Sequence, residues 1–350
     1  MKKFMLFAAM ASVVLTSCVN EDKEVMESAS KKAISFDMPV MKPTRAQLGE
    51  IIGTTYPEAE SFKVFCKSYT GAYAGWEGAA NYFDAAGEVV SKSGTQWTTT
   101  TPHYWPELGN ELVFAAYSPA DAAGTYKQTD EGLQIEDFTT AAANNQYDLM
   151  YTARVADKNK GNNGDAAVPM VFKHALTSVV FSAVAADDKA TYNIKSLTVD
   201  GNFVTTADFN QNIATAAELD GTPVWTLDAA ATTSYGILSG ANVAVANSGV
   251  MLTGNNSTAG TKSALLLIPQ GVDPNATVTI VYDKTTGDGT LESTAEVKLS
   301  DFKASGASIS EWVMGNRYVY NIIFGANKPI HFSPSIEADW ATTTLDFTIQ

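Results

Sequence analysis

From Ala33 to Val40 apolar and polar residues alternate. Ile34, Phe36, Met38 and Val40 fall on one side of a period-two pattern, with Ser35, Asp37 and Pro39 on the other. That pattern predicts a strand with one buried face. Lys42, Pro43, Thr44 and Arg45 follow directly. They cannot continue a sheet and are expected in solvent, so a good strand is tied to its domain by a cleavable tether. The expectation is a temporary strand: a protease cuts between Arg45 and Ala46, and a partner's strand fills the groove. A permanent strand is the alternative.

Further along, Phe62 to Tyr69 alternates as a strand, and Leu112 to Tyr117 is another, ended by Ser118-Pro119. Between them Tyr69, Tyr73, Trp76, Tyr82 and Phe83 occupy a Gly/Ala-rich stretch read as loop. Tyr147 to Tyr151 is a short strand. Residues 157–165 are the most polar segment and the expected junction between a domain at 46–165 and one at 166–350. Val168 to Val184 is apolar but changes phase, which predicts a bulge or bend. Ala264 to Ile268, closed by Pro269, reads as a core strand. Thr277–Tyr282 and Leu291–Leu299 flank a turn-rich loop at 283–289. Tyr318, Tyr320, Ile322 and Phe324 alternate. No segment longer than ten residues carries a 3.6-residue period. The predicted class is all-β, in sandwiches.

Composition narrows the function classes. The chain has 350 residues, 45% of them hydrophobic and 17% charged, enough for two cores and far from a disordered composition. A net charge of −15 argues against nucleic acid, which needs a basic face. Lys2 and Lys3 precede a short apolar run, Phe4 to Leu15, which is too short to span a bilayer and reads as a signal peptide over residues 1–17. It ends in Leu15-Thr16-Ser17-Cys18, which looks like a lipobox. Cys18 would supply the nucleophilic sulfur for lipidation, and acyl chains then hold the protein at the membrane. Cys66 is the one remaining thiol and lies on the side of Phe62 and Val64. No intramolecular disulfide is left to form, and Cys66 reads as a buried structural residue.

No catalytic constellation emerges. His103, His174 and His331 are the only histidines, and no HExxH, GxSxG or P-loop pattern occurs. The oxygen-rich stretch at 157–165 invites a calcium reading but lacks the glycine and bidentate glutamate of an EF-hand, and a solvated linker is expected. No cofactor, no metal and no enzymatic activity are expected. Tyr69, Tyr73, Trp76 and Tyr82 are candidate ligand-facing aromatics for surface glycans or proteins, against a role as core or corner residues.

Five local motifs together resemble the fimbrillin family of Bacteroidetes, pilins of type V pili. They are Tyr104-Trp105-Pro106 with Phe114 to Pro119; Tyr147 to Tyr151; Phe172-Lys173-His174-Ala175-Leu176; Leu265 to Gln270; and Trp312, Gly315, Tyr318-Val319-Tyr320 running on to Ile336 and Trp340. The resemblance implies two transthyretin-like sandwiches in tandem. It implies export as an outer-membrane lipoprotein, cleavage by an Arg-specific protease, loss of the 18–45 propeptide, and polymerisation with other fimbrial subunits into a surface fimbrium. The donor strand would be the tail Thr342 to Gln350, in which Leu345, Phe347 and Ile349 alternate with polar residues. A tip adhesin or an uncleaved, lipid-anchored subunit is the alternative implied.

Overall fold

A computed structural model describes residues 33–37, 56–106, 109–140, 146–163, 166–252, 264–304, 307–325 and 328–338. These residues are almost wholly strand, as the alternation predicts; the helices among them are the short turns Lys160–Asn163 and Leu299–Asp301. In chain order the strands begin β1 (Phe36–Asp37), β2 (Phe62–Tyr69), β3 (Ala80–Asn81), β4 (Glu88–Ser93), β5 (Gln96–Thr99), β6 (Glu111–Ser118), β7 (Thr125–Thr129) and β8 (Gly132–Thr139). They continue with β9 (Met150–Thr152), β10 (Val155–Lys158), β11 (Val168–Pro169), β12 (Phe172–His174), β13 (Thr177–Ala185), β14 (Thr191–Val204), β15 (Thr206–Asn210) and β16 (Val224–Leu227).

The first sheet is ordered β11-β1-β5-β4-β2-β6-β9-β12, with β3 added to β2 and β10 to β6. Its two end strands are joined by only Met170 and Val171, a link that reaches about 11 Å at most between Pro169 and Phe172. The sheet must therefore roll on itself. Its interior is an apolar cluster that includes Ile34, Phe36, Phe62, Val64, Leu112, Phe114, Val168 and Phe172. Strand β6 is buried on both faces. Leu112, Phe114 and Ala116 point into that interior, while Val113, Ala115 and Tyr117 point outward into a second cluster with Leu133, Ile135, Phe138 and Phe209. Burying each large side chain contributes ~1.5–3 kcal/mol, so β6 organises both cores.

The second cluster is covered by a sheet ordered β16-β15-β8-β7. Strands from both sides of the expected junction at 165/166 thus share sheets. β11 and β12 complete the first sheet, and β15 pairs with β8 (Ala207 opposite Phe138). In the second case the chain passes straight from one sheet to the other: β14 stays paired with Thr232–Leu238 as far as Val204, turns at Thr205 and continues as β15. The Thr205 N–H donates to the Ala231 carbonyl at 2.8 Å, and its carbonyl accepts from the Thr140 N–H at 2.8 Å.

The remaining strands form a sandwich. One sheet places β13 parallel to Asn316–Gly325, which pairs with Lys328–Ala338; the other is Thr232–Leu238, β14, Thr277–Thr286 and Gly289–Lys298. Phe181, Leu197, Val199, Ile280, Trp312, Tyr320 and Phe324 fill the space between them. The phase change in 168–184 is more than a bend: β11, β12 and β13 take three separate places. The expected loop at 283–289 is mostly ladder, with pairing out to Thr286 opposite Gly289. Strand β14 extends as far, with Thr191 opposite Thr285, and so supports the hairpin to its tip. Val319 is also buried, against Val180 and Ala264, so the strand around Tyr318 is covered on both faces.

Candidate functional site

The first strand is the feature with functional potential. It lies inside a sheet, parallel to β11 (Phe36 opposite Val168, Asp37 opposite Pro169) and antiparallel to β5 (Phe36 opposite Trp97). Ile34 donates its N–H to the His103 carbonyl at 2.7 Å. The Ser35 and Asp37 carbonyls accept from Val168 and Met170, both at 2.8 Å. Ile34 and Phe36 are each 2% exposed. The Phe36 ring sits edge-on to Phe62, with centroids 5.9 Å apart. Among the described strands, β11 has β1 as its sole sheet neighbour. Removing residues 33–37 would therefore part β5 from β11 and open an apolar slot edged by unpaired backbone groups.

Of the expected strand positions, Ile34 and Phe36 are buried in this seat, but Ser35, expected on the open side, is buried too, so the strand is covered on both faces there; Met38 and Val40 lie outside the described residues. So do Cys18, Arg45, Ala46, Leu345, Phe347 and Ile349. The other two arginines of the chain, Arg154 and Arg317, are each 2% exposed. Arg154 is held by carbonyls: its guanidinium donates to Ala216 at 3.2 Å, to Glu218 at 3.3 Å, to Asp130 at 2.9 Å and to Thr129.

The candidate ligand-facing aromatics divide by exposure, with Trp76 buried and Tyr69, Tyr73 and Tyr82 half-buried. Trp76 is 3% exposed, within the second cluster, with Lys67 over its ring at 5.6 Å and Arg154 at 5.8 Å. Tyr69 and Tyr73 are half-buried against the same cluster, 5.3 Å apart. The Tyr69 hydroxyl donates to Asp157 at 2.7 Å, and that of Tyr82 donates to the Tyr104 carbonyl. Corner packing accounts for Trp76, which is covered; Tyr69 and Tyr73 are half-buried against the outer-face cluster, and Tyr82 is half-buried against the interior one. The outer-face cluster demands bulk where loops cross the sheet.

Cys66 is a free thiol, 3% exposed in the rolled sheet's interior, and burial raises its pKa well above the ordinary thiol value. His103 stacks on Phe83 at 4.1 Å and lies 3.2 Å from Glu88. His174 lies 2.9 Å from the buried Asp148 carboxylate. Both are structural contacts. No group of three metal-ligating side chains occurs among the described residues. Sequence reasoning missed the walls of the slot: Trp97, the His103 carbonyl, and Val168 with Met170. The one available signal was the alternation Val168, Met170, Phe172, hidden in a longer apolar run.

Residues 44–340 match the family model described as fimbrillin-like. A fimbrial protein of Bacteroides vulgatus is similar in structure, 15% identical, with 88% of this chain and 99% of that chain covered and a TM-score of 0.51. A candidate cell adhesion protein of Bacteroides uniformis is 16% identical over 88% of this chain and 99% of that one, with a TM-score of 0.49. At such identities the likeness concerns the fold. No curated protein sequence matches the chain. The family match extends over most of the chain, from before β2 to the end of the last described strand. The chain belongs to the fimbrillin-like family: a structural, non-enzymatic protein of the cell surface that associates with other fimbrial subunits.

Proposed function

We propose that this chain is a polymerising pilin. It is exported as an outer-membrane lipoprotein with residues 1–17 as signal peptide and Cys18 as the lipidated residue. It is cut after Arg45 by an Arg-specific protease. The slot left by the 18–45 propeptide is filled by the tail Thr342 to Gln350 of a neighbour. In this account the slot of the mature subunit lies between β5 and β11, and so takes walls from both sides of residue 165, while the donor tail follows the last described strand.

The observation that carries this reading is the interior position of residues 33–37. An ordinary N-terminal strand adds to a sheet edge; this one holds two walls together. Its two buried apolar side chains, Ile34 and Phe36, are worth ~1.5–3 kcal/mol each, and its ladder bonds ~1 kcal/mol apiece. A departing strand leaves that free energy available to an incoming strand of like pattern, and contacts that run head to tail build a filament rather than a ring. The burial of Arg154 and Arg317 supports Arg45 as the cut site, since a protease needs an accessible, extended substrate.

The test is direct. Purified full-length protein is incubated with an arginine-specific protease and run unboiled on a denaturing gel. A ladder of multimers is expected from the wild type and monomer alone from Arg45→Lys. Equal ladders from both would refute the proposal.

A further inference from the structure

The seats along the first strand differ in what they admit. Those of Ile34 and Phe36 are closed, each side chain being 2% exposed. Ser35 is also buried, at 4%, whereas Asp37 stands in solvent. A carboxylate in the seat of Ser35 would be stripped of water, which costs several-fold more than burying a hydroxyl. The Phe36 seat is shaped for a ring, with Phe62 and Phe114 presenting edges at 5.9 and 5.7 Å.

The chain ends Leu345-Asp346-Phe347-Thr348-Ile349-Gln350. Set in the first strand's own direction, with Phe347 in the ring seat, the tail puts Asp346 into the buried seat of Ser35. Shifted by two residues in that direction, it puts Ile349 between the two phenylalanine edges and Phe347 into the isoleucine seat, leaving a void in one and crowding in the other. Set in the opposite direction, it fits throughout. Ile349 takes the seat of Ile34, Thr348 that of Ser35, Phe347 that of Phe36 and Asp346 that of Asp37. Read forward from 34 the strand is Ile-Ser-Phe-Asp; read backward from 349 the tail is Ile-Thr-Phe-Asp.

On the strand-exchange reading above, we infer that the tail of a second copy enters the slot opposite in direction to the strand it replaces. It then runs antiparallel to β11 and parallel to β5, with Phe347 seated between Phe62 and Phe114. The last described strand ends at Ala338, so residues 339–345 are the tether to the seated residues and span about 26 Å at strand rise.

Asp37 faces Pro169 across the ladder, and Pro169 is exposed, so position 169 reports which tail residue lies in that seat. Full-length Pro169→Cys protein in a Cys18→Ser background is mixed with a second copy carrying Asp346→Cys, Thr348→Cys or Gln350→Cys. The mixture is cleaved with an arginine-specific protease, oxidised mildly and run on a non-reducing gel. Paired Cα atoms lie within disulfide range. A protease-dependent dimer with Asp346→Cys is expected. A dimer with Thr348→Cys or Gln350→Cys instead overturns the direction and leaves exchange standing. Boil-sensitive multimers with no cross-linked pair overturn the inference alone; neither multimers nor dimers overturn exchange as well. In an independent readout, Thr348→Asp slows assembly by about tenfold or more, as burying an unpaired carboxylate demands, while Asp346→Thr leaves it nearly unchanged. The opposite ranking would reject the inference.

Discussion

The ring of Phe36 meets that of Phe114 edge-on, with centroids 5.7 Å apart and planes at 82°. The contact joins the start of the described chain to β6, the strand buried on both faces, and makes a two-residue element part of the core. Phe36→Ala in the uncleaved protein is expected to lower stability by about 3–5 kcal/mol, through lost burial and an unfilled cavity. Urea titration of full-length protein measures it. A change within about 0.5 kcal/mol would mean that the first strand is ornamental.

Arg154 is the second position where one side chain ties distant segments. Its guanidinium satisfies carbonyls of Thr129 and Asp130 in the β7–β8 turn and of Ala216 and Glu218 beyond β15. Lysine offers three donors on one atom and cannot span that set. Arg154→Lys should cost about 2–4 kcal/mol, and the charge-keeping change should be hardly better than Arg154→Met. Thermal unfolding of the two variants decides it; full rescue by lysine would show that charge alone matters.

Alkali should unfold this protein cooperatively. Burial raises the pKa of Cys66 above its usual 9.0, pushes that of Tyr117 up to about 12, and raises those of Tyr56 and Tyr320 from 10.0. In the unfolded chain these groups lose protons near their ordinary values, while the folded state keeps them. Their contribution to stability is therefore intact below about pH 9 and falls as pH rises toward 12, because the unfolded state then binds fewer protons. Tyrosinate absorbance and circular dichroism followed together should show a late, cooperative tyrosine class. Smooth titration with no loss of structure would contradict the assignment.

Trp76→Ala tests the two readings of the aromatic corner. A covered ring predicts a stability loss of about 3–5 kcal/mol. Adhesion to glycan-coated surfaces, measured at a temperature where the variant remains folded, should be unchanged. Lost binding with unchanged stability would restore the ligand-facing role.

Much of the architecture was legible because strands with apolar alternation declare themselves locally. Phe62 to Tyr69 and the apolar run around Leu265 are strands with nearly the expected bounds. Cys66 is buried on the side its neighbours implied, and the lack of helical periodicity held throughout the described residues. The slot was half legible. Ile34 and Phe36 announce a buried face, yet nothing near them identifies Trp97, Val168 or Met170 as its walls. Those partners are non-local, and the residues of β11 sit in an apolar run whose phase is ambiguous without the sheet.

The sequence by itself determined that this is an all-β chain, that residues 34 and 36 are core residues, and that the tail repeats their pattern. These follow from side-chain periodicity, a property of neighbouring residues. Tertiary structure alone decided that the first strand lies inside a rolled sheet, that β15 and β16 close a layer begun by β7 and β8, and that the seat of Ser35 is closed while that of Asp37 is open. Each of those depends on which distant backbone donates to which carbonyl, and ladder pairing leaves no mark in the residues that share it.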